Sequence, residues 1–250
     1  MGSSYFYLEF LLALLSLLSR GFHNPAILAL EYTLVPEDSY PTQLHQAIAG
    51  YKYLQSITHS SQIIVSGDSA GANIMLSLLL HLGNGFKDGS KISNGITTQL
   101  SLPGMAVLIS PWVTLISAKD KNTRSDYLDA ENLHRYARQY SGTKISVHDP
   151  LISPGKCKDA SWWRKATPEK GFFILYGAEE VFAPEIKDLV ALLENADVRV
   201  ESQEEEGGIH AWPVASLFLC STREQRTKGI RKIVKQISDG MGISDFNVKT

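Results

Sequence analysis

Short continuous apolar runs alternate along this chain with longer stretches whose apolar positions recur at helical spacing. Ala26–Leu34 (AILALEYTL), Gln62–Ser66 (QIIVS), Met105–Ser110 (MAVLIS) and Phe172–Tyr176 (FFILY) predict strands, with a fifth at Asp197–Glu201. Thr42–Ser56 puts Leu44, Ala47, Ile48, Tyr51 and Leu54 on one helical face, and Ala70–Leu82, Ala130–Tyr140, Pro184–Ala196 and Val214–Ser238 predict further helices. Strands alternating with helices predict an α/β fold: a mostly parallel sheet of about five strands with helices on both faces. Residues 1–250 fit a single domain. Within it, 112–168 is too long for an ordinary crossover and predicts a lid-like insertion, rich in Trp112, Tyr127, Tyr136, Tyr140, Trp162 and Trp163. Asn84–Gln99 predicts a surface loop, Glu204–Glu206 a solvated loop, and the residues after Ser238 a fraying tail.

The apolar start, Tyr5–Leu18 (YFYLEFLLALLSLL), invites a signal or membrane assignment. No Lys or Arg precedes it, Glu9 interrupts it, and no small-x-small cleavage site follows. It also falls short of the roughly 20 residues a bilayer requires. Glu9, Ala13, Ser16 and Arg20 recur at steps of four, three and four, drawing one narrow polar stripe. That pattern predicts a helix buried on most sides and stopped at Gly21.

Composition narrows the function classes. Lys plus Arg number 24 against 26 Asp plus Glu, a formal charge of −2, so no basic field exists to hold nucleic acid. Two cysteines, Cys157 and Cys220, make no disulfide framework and no zinc cluster, and are expected as unpaired thiols. With no stable membrane span expected, a cytoplasmic location is the default; oligomeric state leaves no trace in the sequence.

One motif bears chemistry. Gly67-Asp68-Ser69-Ala70-Gly71 is G-x-S-x-G set between a predicted strand and a predicted helix, the frame of a nucleophile elbow. Crowding in that turn accounts for glycine at 67 and 71. The turn lifts the Ser69 hydroxyl clear of the sheet and aims the Ala70 amide at a developing oxyanion. A serine hydroxyl needs a base, and the base an orienting acid, in the chain order Ser, Asp or Glu, His. After FFILY comes Gly177-Ala178-Glu179-Glu180, and after the last predicted strand Gly207-Gly208-Ile209-His210. Both stretches fall at strand carboxyl ends, where catalytic groups of open α/β sheets gather. His45, His59 and His134 lie on or beside predicted helices, His81 at a helix end, and His23 and His148 in polar loops; His210 alone has the expected setting. For the acid, Glu180 is favoured over Glu179, with Asp188 and Asp197 farther from that setting.

EYTLVPEDSYPTQLHQAIAGYKYL, GDSAG, SPW, DPLISP and GIHAW together resemble the hormone-sensitive-lipase group of α/β-hydrolases, carboxylesterases whose elbow reads GDSAG. The resemblance implies hydrolysis of small or medium acyl esters through an acyl-enzyme, with no metal and no organic cofactor. It places the nucleophile on Ser69 and the base on His210. The family's acid is commonly Asp in a D-P-L segment; here Glu180-Val181-Phe182 stands there.

One departure bears on activity. The group carries an upstream H-G-G whose glycine amides complete the oxyanion site, and no HGG occurs in these 250 residues. Met1 therefore resembles an internal position of a longer ancestor, and an N-terminally truncated fold is expected. Losing one oxyanion donor costs roughly 3–4 kcal/mol, or about 10²–10³ in rate. The alternative to an active esterase is thus a catalytically impaired homologue or a small-molecule-binding protein on the same fold. Peptidase and lactonase chemistry share the same acyl transfer.

Overall fold

The computed structural model describes residues 4–85 and 100–242. Four strands, β1 (Ile64–Asp68), β2 (Met105–Ile109), β3 (Phe172–Gly177) and β4 (Val200–Glu205), form one sheet in that order, and every pairing is parallel. Eight α-helices accompany them: α1 (Ser4–Leu18), α2 (Thr42–Ile57), α3 (Ser69–Asn84), α4 (Ala130–Ser141), α5 (Ala160–Ala166), α6 (Ala183–Asn195), α7 (Trp212–Leu219) and α8 (Arg223–Gly240).

Strand periodicity of two divides the core into two layers. Val65, Ala106, Leu108, Phe172 and Ile174 face α2, α3, α5 and α6. Met105, Val107, Ile109, Phe173 and Leu175 face the other way, onto Phe10 and Leu17 of α1, Val214 and Leu217 of α7, and Ile230 and Ile233 of α8. The central strands β2 and β3 are buried along their whole length, which is why MAVLI and FFILY read as unbroken apolar runs. Residues 112–168 contribute Trp112, Val113, Leu133, Ile152 and Trp163 to the first of these layers.

Several boundaries differ from the sequence expectation. Ala26–Leu34 is not a strand, so four strands stand among the described residues where about five were expected. Its composition favours a strand, but a ladder needs a neighbour, and this segment pairs with no strand among the described residues; it and β1 both line a cleft of about 2720 Å³. The last strand begins at Val200 and takes in Glu204 and Glu205, expected in a loop. An edge strand accepts these acids because Lys187 pairs with Glu204, and Lys228 and Lys232 with Glu205. The final helix is two helices: the chain breaks at Cys220–Thr222, where Thr222 and Gln225 form a reciprocal capping box that starts α8. Helix α1 is buried only at Phe10 and Leu17, whereas Tyr5, Phe6, Leu8 and Leu12 are exposed. The sheet layer covers one side of α1, and its expected burial on most sides fails because the opposite side meets no described layer.

Both cysteines are free, Cys157 buried and Cys220 half-buried. No helix among the described residues is long and apolar enough to cross a membrane. Most of the expected 84–99 loop and the C-terminal tail lie outside the described residues.

Candidate active site

Each strand leads at its carboxyl end into one residue of the site: Ser69, Ser110, Glu180 and His210 in strand order. β1 runs directly into Ser69, which opens α3 with a left-handed φ of 53°. A non-glycine residue in that region is strained and persists only where the surroundings enforce it. Here the enforcement is close packing of strand against helix: a Cβ on Gly67 would come within 2.5 Å of the Gly71 carbonyl carbon. The crowding falls on Gly67 alone. A Cβ on Gly71 would meet only the Tyr32 hydroxyl, at 3.9 Å, so steric pressure does not account for glycine at 71.

Asp68, the last residue of β1, accepts a hydrogen bond from the Tyr7 hydroxyl at 2.8 Å. Desolvation in the cleft wall pushes the Asp68 carboxyl above its ordinary range, against the stabilising Tyr7 hydrogen bond and the nearby His210. Burial and the same carboxylate hold the Tyr7 phenol far above its usual pKa, so Tyr7 keeps its proton and donates it to Asp68. Tyr32 is pushed up to about 12, by burial first and Asp68 second.

Ser110, immediately after β2, is also left-handed, with φ 45°. Its hydroxyl donates to Glu180 Oε2 at 2.6 Å and accepts the Ala211 amide at 2.9 Å. Glu180, past β3, is buried, and the Gly177 amide donates to the same Oε2 at 3.0 Å. Its other oxygen, Oε1, stands 3.9 Å from His210 Nδ1. Those two atoms are buried and have no other partner among the described residues. At 3.9 Å the two atoms face each other beyond hydrogen-bond length. Glu179, by contrast, is exposed and engages through its backbone, its amide to Gly208 and its carbonyl from Thr123.

His210, in the loop after β4, is 3% exposed. Phe182 and Tyr127 meet its ring edge-on at 5.1 and 5.9 Å, and Trp112 stacks on Phe182 at 5.6 Å. Asp126 ties the two loops together, accepting the His210 amide at 3.2 Å on Oδ1 and the Val181 amide at 2.9 Å on Oδ2. Ser69, Ala70 and His210 line the same cleft, which Tyr7, Tyr127 and Trp112 also border.

The structure thus puts Ser69 and His210 on one cleft, with the buried Glu180 facing His210 Nδ1. Sequence reasoning missed Ser110, Asp126 and Tyr7. Ser110 had a visible signal, since it is the serine of the S-P-W stretch. Asp126 sits in a polar segment without periodicity, and Tyr7 lay inside the misleading apolar start.

Residues 14–214 match the model of a family described as alpha/beta hydrolase fold. The chain is 29% identical over 192 residues to an acetyl-hydrolase of Streptomyces hygroscopicus, covering 75% of this chain and 57% of that protein. It is 24% identical over 240 residues to steryl acetyl hydrolase 1 of Saccharomyces cerevisiae, covering 86% and 53%. The chain therefore spans little more than half the length of these relatives. Among solved structures, a hormone-sensitive lipase from a metagenome library superposes with a TM-score of 0.72 at 24% identity, covering 92% of this chain and 72% of that one.

Proposed function

Since the chain belongs to this alpha/beta hydrolase family, we propose that it is a serine carboxylester hydrolase acting on small or medium acyl esters through an acyl-enzyme. The observation that carries the proposal is the buried facing pair, Glu180 Oε1 and His210 Nδ1 at 3.9 Å, beside a serine held left-handed on the same cleft. Ser69 Oγ attacks the ester carbonyl while His210 takes its proton. The Ala70 amide, at the positive end of α3, donates to the oxyanion that forms. Collapse of the tetrahedral intermediate breaks the carbonyl–alkoxy bond, and His210 passes its proton to the departing alcohol. Water then repeats the attack on the acyl-Ser69 ester and releases the acid. Glu180 holds the imidazole tautomer and stabilises the imidazolium, with its own orientation fixed by Ser110 and Gly177.

The acetyl-hydrolase names of the relatives favour short acyl groups, and the aromatic cleft favours an apolar alcohol. The test is a panel of p-nitrophenyl esters from acetate to decanoate, on the purified chain and on Ser69→Ala. Turnover falling with chain length and abolished in Ser69→Ala supports the proposal; equal rates for the two proteins end it.

A further inference from the structure

An aspartate immediately before a helix has an ordinary task, which Asp68 does not perform. As the N-cap of α3, with extended φ −117° and ψ 151°, it would normally accept a hydrogen bond from the second or third helical amide. Those amides belong to Ala70 and Gly71. The Asp68 side chain makes no such cap; its carboxylate is engaged by the Tyr7 hydroxyl of α1 at 2.8 Å. Ala70 accordingly lines the cleft with its amide unpartnered among the described residues.

A capped Ala70 or Gly71 amide would stabilise the helix, and a carboxylate beside it would repel the oxyanion that Ser69 chemistry creates. An anion already seated at that helix terminus competes with the anion the reaction must form there. Holding the carboxylate elsewhere therefore complements supplying the donor. Tyr7 is placed to do this. Helix α1 is anchored by Phe10 and Leu17 against the sheet layer, which fixes the phenol one turn before Phe10. A phenol pinned from a second helix tethers Asp68 where a mobile water would leave it free to rotate.

We propose that Tyr7 is a positioning residue: by holding the Asp68 carboxylate away from the first turn of α3, it keeps the Ala70 amide open for the oxyanion. The proposal rests on ester hydrolysis at Ser69, and its test includes a readout that needs no turnover.

Tyr7→Phe removes one hydroxyl and keeps the ring that packs in the cleft wall. Freed, Asp68 turns to cap α3. In Tyr7→Phe the Ala70 amide is expected to exchange its hydrogen at least tenfold more slowly, with a melting temperature unchanged or raised. Activity is expected to move oppositely, kcat falling tenfold or more at nearly constant KM, within the 10²–10³-fold that losing one oxyanion donor costs. Adding Tyr7→Phe to Asp68→Ala is expected to change neither exchange nor kcat, because no carboxylate remains to swing. The proposal is overturned if Ala70 exchange is the same in Tyr7→Phe as in the parent. It is equally overturned if Tyr7→Phe costs the same factor in kcat with and without Asp68, which would make the hydroxyl's role independent of the carboxylate. A chain whose esterase rate is unaffected by Ser69→Ala refutes the hydrolase proposal instead, and the exchange measurement still decides the Tyr7–Asp68 relation.

Discussion

Ser110 Oγ lies 2.6 Å from Glu180 Oε2 and so joins the end of one central strand to the carboxylate borne by the next. The same hydroxyl accepts the amide of Ala211, the residue after His210, so three loops converge on one oxygen. The strained φ of 45° at Ser110 is the conformational cost of that placement. Ser110→Ala should leave Glu180 oriented by the Gly177 amide alone. A hydrogen bond to a charged group is worth about 1.5–3 kcal/mol, so kcat on a short-chain p-nitrophenyl ester should fall roughly 10- to 100-fold. An unchanged kcat would remove Ser110 from the account of how Glu180 is held.

Asp126 offers a graded test of loop alignment. Its Oδ2 accepts the Val181 amide beside Glu180, and its Oδ1 accepts the amides of His210 and of its own neighbour Tyr127. Asparagine keeps a single acceptor oxygen and presents an NH₂ on the other side, which is a donor facing a donor. Asp126→Asn should therefore fall between the parent and Asp126→Ala in both melting temperature and kcat, with Asp126→Ala the most impaired. The ordering is checked by thermal denaturation alongside steady-state kinetics, and an Asn variant as impaired as Ala would show that both bonds act as one unit.

What the sequence made legible follows from where the information is local. The strand-to-helix turn at Ser69 was readable because strand, glycine, serine and helix are contiguous, and β2 and β3 because complete burial leaves an unbroken apolar run. The edges were harder. Glu204 and Glu205 in β4 read as loop because their charges are satisfied by lysines from α6 and α8, partners a linear pattern does not reveal. Ala26–Leu34 failed in the opposite sense, having strand composition but no paired edge beside it. Asp126 was invisible because its role is to bridge Val181 and His210, 55 and 84 residues away.

The two glycines of the elbow should behave differently, although the motif names them alike. A Cβ at 67 would lie 2.5 Å from one backbone atom of the helix and 2.7 Å from two others, which neither rotamer change nor a small shift relieves. Gly67→Ala should fail to give soluble folded protein or should melt far below the parent. At 71 the added methyl has room, and alanine in a helix is favoured over glycine by about 0.5–1 kcal/mol. Gly71→Ala should melt at or slightly above the parent temperature. Differential scanning calorimetry of the pair decides it: equal destabilisation would mean the strand–helix contact is looser than the geometry shows.

Glu205 supplies a pH dependence that is independent of catalysis. Partial burial pushes its carboxyl up, but hydrogen bonds from Lys228 and Lys232 outweigh that and hold it below the ordinary glutamate value of 4.5. A carboxyl depressed in the folded state binds its proton more weakly there than in the unfolded chain. Its stabilising contribution is therefore complete above the unfolded pKa and disappears as pH falls through the folded one. Glu205→Gln keeps the shape and loses the charge. The stability gap between parent and variant should be widest at pH 7, begin to close below about pH 4.5, and vanish in stronger acid. Added salt at pH 7 should narrow the same gap, because both lysines are partly exposed. Urea unfolding of both proteins at pH 7, 5 and 3 reads this directly; a gap constant across that range would show that the lysines contribute packing and not charge.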